Sequence, residues 1–333
     1  MKIPVLLTRR LFPEAERILS RRCRLVRRLA EARGAVGAVV QLTDRIDARF
    51  FDRLPALRVV SQCAVGVDNI DLEEAGRRGV AIMNTPGVLT EATAEMTWAL
   101  ILAAARRVVE GDRVCRRGAF PGWDLEYMLG TGLWGGTLGV VGMGRIGCAV
   151  ARRAPAFGMK VLYVNRTGRR PGEAPPGARR ASLGRLLAAS DVVTLHVPAS
   201  AGTRHMIGRR EISSMKRGAI LVNTARGSAV DQQALVAALR SGHLAGAGLD
   251  VFEREPWIPG SLRRLPRVVL TPHVASATRR TRGAMAETAA RNVVAFLEGR
   301  PPADRTVVPG GRAGLNPGRA GAASAGGPAG RRA

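Results

Sequence analysis

The sequence predicts an α/β protein built on two doubly wound parallel sheets. Three observations predict it. The chain has 333 residues, enough for two domains with substantial cores. Short apolar runs alternate with helical stretches in two successive series. A glycine-rich turn, Gly142-Met143-Gly144-Arg145-Ile146-Gly147, stands between an apolar run and a helix in the second series.

In the first series, Val5-Leu6-Leu7 is the first short strand and a helix follows from Pro13. Ala35 to Leu42, Arg58 to Cys63 and Val80-Ala81-Ile82 are further strands, and Asp71 to Arg78 is helical. One long helical stretch is expected from Thr90 to Gly118, with apolar residues recurring through Met96, Trp98, Leu100, Ile101, Leu102 and Ala105. The second series begins at Thr137. Its strands are Leu138 to Val141, Lys160 to Val164, Val192 to His196, Ala219 to Asn223, Gly246 to Val251 and Val268 to Thr271. A last helix runs from Arg279 to Glu298. Residues 309–333 are mostly Gly, Ala, Pro and Arg with almost no apolar bulk, and are expected to be a disordered tail because they cannot bury enough surface to order themselves.

The bulk properties exclude several classes. The apolar run Ile3 to Leu7 is too short for a signal peptide, and no stretch approaches the 18 or more apolar residues of a membrane helix, so a soluble cytoplasmic protein without a membrane partner is expected. Cys23, Cys63, Cys115 and Cys148 form no C-x-x-C and no metal spacing with histidine, so reduced, partly buried thiols and no metal site are expected. The net charge of +26 raises nucleic-acid binding. Only three of the 52 basic residues are lysine, however, and the arginines are spread without a dense tract or interleaved aromatics. That pattern fits a compositional bias, and no nucleic-acid partner is expected.

The glycine turn carries the first chemistry. It directly follows the strand Leu138-Gly139-Val140-Val141 and opens the helix Arg145 to Phe157, the context of a Rossmann-like dinucleotide site. Gly142 permits the tight turn, Gly144 lets backbone approach a pyrophosphate at the helix N-terminus, and Gly147 lets helix and strand pack closely. Some twenty residues on, a site for NAD would place Asp or Glu to bond the ribose 2′-hydroxyl. This chain has Asn165, Arg166 and Thr167 there, and no carboxylate between Lys160 and Arg170. Arginine forks match phosphate oxygens, so NADP(H) is the expected cofactor, with NAD(H) as a weaker substitute.

Three strand ends carry the second. Thr271-Pro272-His273 ends one strand and Asn223-Thr224-Ala225-Arg226-Gly227 another. A third carries Asp250-Val251-Phe252-Glu253-Arg254-Glu255-Pro256, with two carboxylates beyond the strand. Strand carboxyl ends are where open α/β sheets bind ligands. Hydride transfer to a 2-oxo acid needs a cation to hold the carboxylate and polarise the ketone, an acid to protonate the alkoxide, and a group that keeps that acid protonated. Arg226, His273 and one of the two glutamates supply these. His196 ends another strand and lines the cofactor region, while His205 and His243 are expected on the solvated surface.

With these motifs, and with Val65-Gly66-Val67-Asp68-Asn69-Ile70-Asp71 and Asn84-Thr85-Pro86-Gly87-Val88-Leu89-Thr90, the chain resembles the D-isomer-specific 2-hydroxyacid dehydrogenase family from about Val5 to Pro302. Within it, the glyoxylate/hydroxypyruvate reductase branch is the most similar. The resemblance implies Arg226, Glu255 and His273 as catalytic residues, choosing Glu255 over Glu253. It implies substrate contacts at Val65, Gly66, Arg226 and His273, the first two through backbone N–H groups. Cofactor contacts are implied at Thr93, Arg145, Ile146, Val197, Pro198, Thr224, Asp250 and Ala275, beside Gly142, Met143, Gly144 and Gly147. It also implies a discontinuous substrate domain (1–92 plus 279–308), a dinucleotide-binding domain (93–278), catalysis in the cleft between them, and a homodimer with Trp123 near its interface. Two further functions stay open: reduction of a bulkier sugar-derived acid of the 2-ketogluconate type, and a nucleotide-sensing scaffold without turnover. Against the family pattern the chain is about a dozen residues short between Ser20 and Val36, which predicts a reduced strand there.

Overall fold

The computed structural model describes residues 2–166 and 174–301. Thr167 and the expected tail at 309–333 lie outside the described residues. Two compact units divide at Pro86/Gly87 and Ala284/Met285, where 92/93 and 278/279 are the boundaries expected from sequence.

The first unit contains β1 (Ile3–Leu7), α1 (Pro13–Ser20), β2 (Cys23–Val26), β3 (Gly37–Val40), α2 (Ala48–Arg53), β4 (Val59–Gln62), α3 (Leu72–Arg77) and β5 (Ala81–Met83). Its five strands are all parallel in the order β2-β1-β3-β4-β5, with Val5 opposite Gly37. Successive side chains of a strand point to opposite faces. Leu6, Ala38, Val40, Val60 and Ile82 accordingly pack under Phe50 and Phe51 of α2 and Ala75 of α3. Val5, Leu7, Val39, Val59 and Met83 pack on the other face, under Ala15 and Leu19 of α1. Burial on both faces explains why these strands read as continuous apolar runs. Asp47 and Asp71 cap α2 and α3, accepting from the Phe50 and Glu74 N–H groups at 3.2 and 2.8 Å. The shortened region still holds a strand, β2, of four residues at the sheet edge.

The second unit begins with α4 (Thr90–Ala105) and α5 (Val108–Arg116), which correct the single long helix expected from sequence. The carbonyl of Ala105 accepts the Thr131 N–H at 2.8 Å, and Arg107 turns the chain in the left-handed region (φ 53°). There follow β6 (Thr137–Val141), α6 (Arg145–Arg153), β7 (Lys160–Val164), β8 (Arg179–Arg180), α7 (Leu183–Ala189), β9 (Val192–Leu195), α8 (Arg209–Ser213), β10 (Ala219–Asn223), α9 (Gln232–Arg240), β11 (Leu244–Leu249), α10 (Gly260–Arg263) and β12 (Val268–Leu270). Seven parallel strands lie in the order β12-β11-β10-β9-β6-β7-β8. The chain therefore departs in opposite directions from β6, and the ends of β6 and β9 form the topological switch point. Trp98, Ile101, Ala149 and Val150 cover one face of this sheet, while Leu186, Ile212 and Leu235 cover the other. No described helix is long and apolar enough to cross a membrane.

The last helix, α11 (Arg279–Leu297), runs through the boundary, and its Ala286, Ala289, Ala290 and Val293 complete the core of the first unit beside α1. There the fully buried Asn292 donates from Nδ2 to the Asn84 carbonyl at 3.0 Å. Loss of a buried partner leaves the other group unsatisfied, so Asn292→Ala is expected to destabilise the protein by about 1–3 kcal/mol. Equilibrium denaturant unfolding checks this, and an unchanged midpoint would exclude the bond as a structural tie.

Candidate functional site

The glycine turn leaves β6 at the switch point. Gly142 sits at φ 96°, and a Cβ there would lie 2.6 Å from the His196 carbonyl oxygen. A Cβ on Gly147 would lie 2.1 Å from the Gly142 carbonyl oxygen, so the first turn of α6 rests directly on the loop. Gly144 differs from both. It caps α6, is exposed, and a Cβ on it would meet no protein atom within 4 Å. Two glycines thus answer to the protein's own packing, and the third opens onto space before unpaired helix N–H groups. That arrangement fits a pyrophosphate. Met143 is fully buried in the core, so its side chain takes no part in that opening. Ile146 is half-buried against the same core, and Arg145 is exposed. Beyond β7, Asn165 is half-buried and Arg166 exposed. Thr167 lies outside the described residues.

Thr93, in the first turn of α4, accepts through its carbonyl from Thr97 Oγ1 at 2.8 Å, and Thr97 Oγ1 lies 2.9 Å from Thr224 Oγ1. This chain of hydrogen bonds joins two residues expected at the cofactor, and Thr97, its middle member, carries no sequence motif. Thr97 lies one helical turn from Thr93, but a buried threonine in an apolar helix gives no other signal. Val197 is half-buried and Pro198 exposed; the Pro198 carbonyl accepts from Thr203 Oγ1 at 2.7 Å. In the first unit, the Val65 carbonyl accepts from Asn84 Nδ2 at 2.7 Å and the Gly66 carbonyl from Gln62 Nε2 at 3.2 Å, so side chains fix that loop through its carbonyls.

Arg226, Glu255 and His273 follow the adjacent strands β10, β11 and β12. Glu255 Oε2 lies 2.7 Å from His273 Nδ1, and Glu255 Oε1 accepts the Phe252 N–H at 3.0 Å. Burial pushes the Glu255 carboxyl up, but the His273 hydrogen bond, the Phe252 N–H and the positive charge of His273 and Arg226 outweigh it. Its pKa is left below the ordinary carboxylate value, and at neutral pH it is ionised. Arg226 donates from Nη1 to the Ala225 carbonyl at 2.7 Å. Its own carbonyl accepts from Asn223 Nδ2 at 2.8 Å. A Cβ on the next residue, Gly227, would fall 1.9 Å from the Phe252 carbonyl carbon, so only glycine lets the Arg226 loop meet the loop that carries Glu255.

His273 is itself held in the left-handed region at φ 53°. Such backbone persists in a non-glycine residue only where the surroundings fix it. Asp250 does so here. Its fully buried carboxylate accepts from Thr271 Oγ1 at 2.6 Å and from the Val274 and Ala275 N–H groups, each at 2.8 Å. Its carbonyl accepts the His273 N–H at 2.9 Å. Asp250, expected as a cofactor contact, is seen holding the histidine turn, and Ala275 contributes its buried N–H to the same turn.

The remaining histidines separate cleanly. Burial lowers His196 to about 3, which keeps it neutral, and its Nε2 lies 3.1 Å from Thr194 Oγ1. His243 bonds the Ile212 carbonyl at 2.9 Å. His205, expected on the solvated surface, has its side chain 37% exposed and pairs with Glu253. That pairing occupies the second glutamate and leaves Glu255 to His273. No described group of His, Cys, Asp and Glu has the arrangement of a metal site, and of the four thiols Cys115 is exposed.

A doubly wound sheet with a glycine turn at its switch point, and an Arg–Glu–His cluster on three neighbouring strand ends, defines an α/β protein of the dinucleotide-binding class. Residues 98–275 match the family model described as D-isomer specific 2-hydroxyacid dehydrogenase, NAD binding domain. A glyoxylate reductase of Aeropyrum pernix is 50% identical over 319 residues, covering 91% of this chain and 95% of its own. A crystal structure of a Thermus thermophilus protein superposes with a TM-score of 0.85 at 49% identity, over 92% of this chain and all of its own. An NADPH-dependent glyoxylate/hydroxypyruvate reductase of Sinorhizobium meliloti, solved with NADP and malonate, superposes with a TM-score of 0.82 at 33% identity, over 93% and 98%. The chain belongs to the D-isomer-specific 2-hydroxyacid dehydrogenase family.

Asp250→Ala removes the acceptor for three donors at once. Hydrogen bonds to charged groups contribute about 1.5–3 kcal/mol each and do not sum, so a loss of at least about 2 kcal/mol is expected. Asp250→Asn, which keeps one acceptor oxygen, is expected to lose less. Thermal unfolding of the two variants checks the order, and equal stability would remove Asp250 from this role.

Proposed function

We propose that the protein reduces a small 2-oxo acid, glyoxylate or hydroxypyruvate, to the D-2-hydroxy acid with NADPH. The observation that carries this is the 2.7 Å contact between the ionised Glu255 and His273 Nδ1, on a strand end adjoining that of Glu255, with that of Arg226 next beyond it. With Nδ1–H donated to Glu255, Nε2 is the nitrogen that exchanges a proton with substrate. The nicotinamide, when bound, supplies the hydride. Arg226 holds the substrate carboxylate and draws electron density toward the ketone oxygen. As C2 receives the hydride, that oxygen takes the proton from His273 Nε2, and Glu255 holds the ring through its Nδ1. Val65 and Gly66 are proposed as substrate contacts through their backbone N–H groups.

The cofactor assignment is supported by Asn165 and Arg166 where an acidic residue would select the unphosphorylated ribose. Gly142, Gly144 and the first turn of α6 take the pyrophosphate. Thr93, Val197, Pro198, Thr224 and Ala275 border the remainder, with Asp250 behind them. The substrate class is supported by similarity to glyoxylate reductases.

The test is consumption of NADPH and NADH with a panel of 2-oxo acids that includes a sugar-derived one. NADPH with glyoxylate or hydroxypyruvate is expected to give the highest kcat/KM. A tenfold preference for NADH, about 1.4 kcal/mol at the transition state, would overturn the cofactor assignment. Preference for the sugar-derived acid would overturn the substrate. His273→Ala is expected to lose at least about a hundredfold in kcat while still binding NADPH; normal turnover would exclude His273 as the acid.

We further propose a homodimer. Phe120, Trp123, Leu125, Leu129 and Trp134 are exposed, Trp123 at 83% and Trp134 at 85%, within one stretch of the second unit. Light scattering at micromolar concentration is expected to give twice the chain mass of 35.4 kDa, and a monomer would refute the assembly.

A further inference from the structure

Strand β8 consists of Arg179 and Arg180 alone and forms the edge of the seven-stranded sheet. It pairs with β7 so that Arg180 stands opposite Tyr163, and the Ala181 N–H donates to the Tyr163 carbonyl at 2.8 Å. This pairing fixes the Arg180 backbone two residues short of Asn165. The side chain covers that distance. Its Nη2 lies 3.4 Å from the Asn165 carbonyl oxygen, which brings the guanidinium to the loop beyond β7. No acidic side chain pairs with Arg180 among the described residues. Arg180, Ala181, Ser182 and Arg185 line an open hollow of about 460 Å³, so a second guanidinium borders the same space. From Lys160 to Arg185 the sequence has seven basic residues against one acidic residue, Glu173.

The ribose 2′ position of a dinucleotide falls at the end of the strand that follows the glycine turn's helix, here β7. A phosphate monoester there carries a charge of about −1.5 to −2 and three acceptor oxygens, and an arginine fork can hold two of them. We propose that Arg180 determines cofactor specificity by binding the 2′-phosphate of NADPH together with Asn165 and Arg166, and that Arg185 adds to the positive field. This rests on the assignment of NADPH made above. It adds a residue from a different strand, placed by sheet register and not by the loop that carries Arg166.

The full chain and its Arg180→Gln and Arg180→Lys variants are titrated calorimetrically with adenosine 2′,5′-bisphosphate and with 5′-AMP, which differ only in the 2′-phosphate. The unaltered chain is expected to bind the bisphosphate at least about tenfold more tightly. Arg180→Gln is expected to weaken the bisphosphate about tenfold or more, as for one charge-assisted hydrogen bond, and 5′-AMP less than twofold. Arg180→Lys is expected to recover part of the loss, because it keeps the charge without the fork. Unchanged 5′-AMP affinity also reports that the variants fold. If the unaltered chain discriminates and Arg180→Gln discriminates equally, Arg180 merely keeps the sheet edge from pairing and the inference falls while NADPH stands. If the unaltered chain does not discriminate, the NADPH assignment falls and takes the inference with it.

Discussion

Asp250, with its buried carboxylate, ties together the three strand ends that carry Arg226, Glu255 and His273. Its own N–H donates to the Asn223 carbonyl at the end of β10, its side chain gathers the Thr271–Ala275 turn beyond β12, and it stands at the end of β11 itself. A buried charge is tolerated only where donors surround it. Here the donors belong to the turn that presents His273, so the requirement to satisfy the carboxylate is also what fixes the imidazole. The left-handed backbone of His273 is one result, and the reach of its Nδ1 to Glu255 is the other. Gly227 serves the same end from β10, because no other residue lets that loop lie against Phe252.

Much of this was legible in the sequence. Strands buried on both faces leave uninterrupted apolar runs, and β7 and β10 fall where those runs lie, with the other expected strands within a few residues of theirs. The glycine turn was equally plain, since two of its glycines answer to collisions with the protein's own backbone and the third to the absence of any neighbour. Less was visible where local sequence and long-range contact disagree. The break between α4 and α5 is made by Thr131 capping a carbonyl from afar and by an arginine in a glycine-like conformation, neither of which disturbs the apolar periodicity. Strand β8 is two arginines at a sheet edge, with no apolar run to mark it. Six-residue α2 is too short for its period to stand out.

The site residues divide along the same line. Residue type pointed to Arg226, His273 and one of two glutamates, the family motif chose Glu255, and the fold gives the physical reason by pairing His205 with Glu253. The residues that position rather than touch were the hardest to see. Asp250 sits within a recognisable motif, yet its five hydrogen bonds are a property of three strands at once. Thr97 bridges Thr93 to a loop 127 residues away. No window of sequence contains such a relation.

The first unit draws its core from both ends of the chain, since α11 packs beside α1. During synthesis that core stays open until α11 has emerged, after residues 87–284 of the second unit. Domains often fold in the order they are made, N-terminal first. This chain reverses that order: the part begun first is closed last, and its unpaired apolar faces need shelter from other chains until α11 arrives.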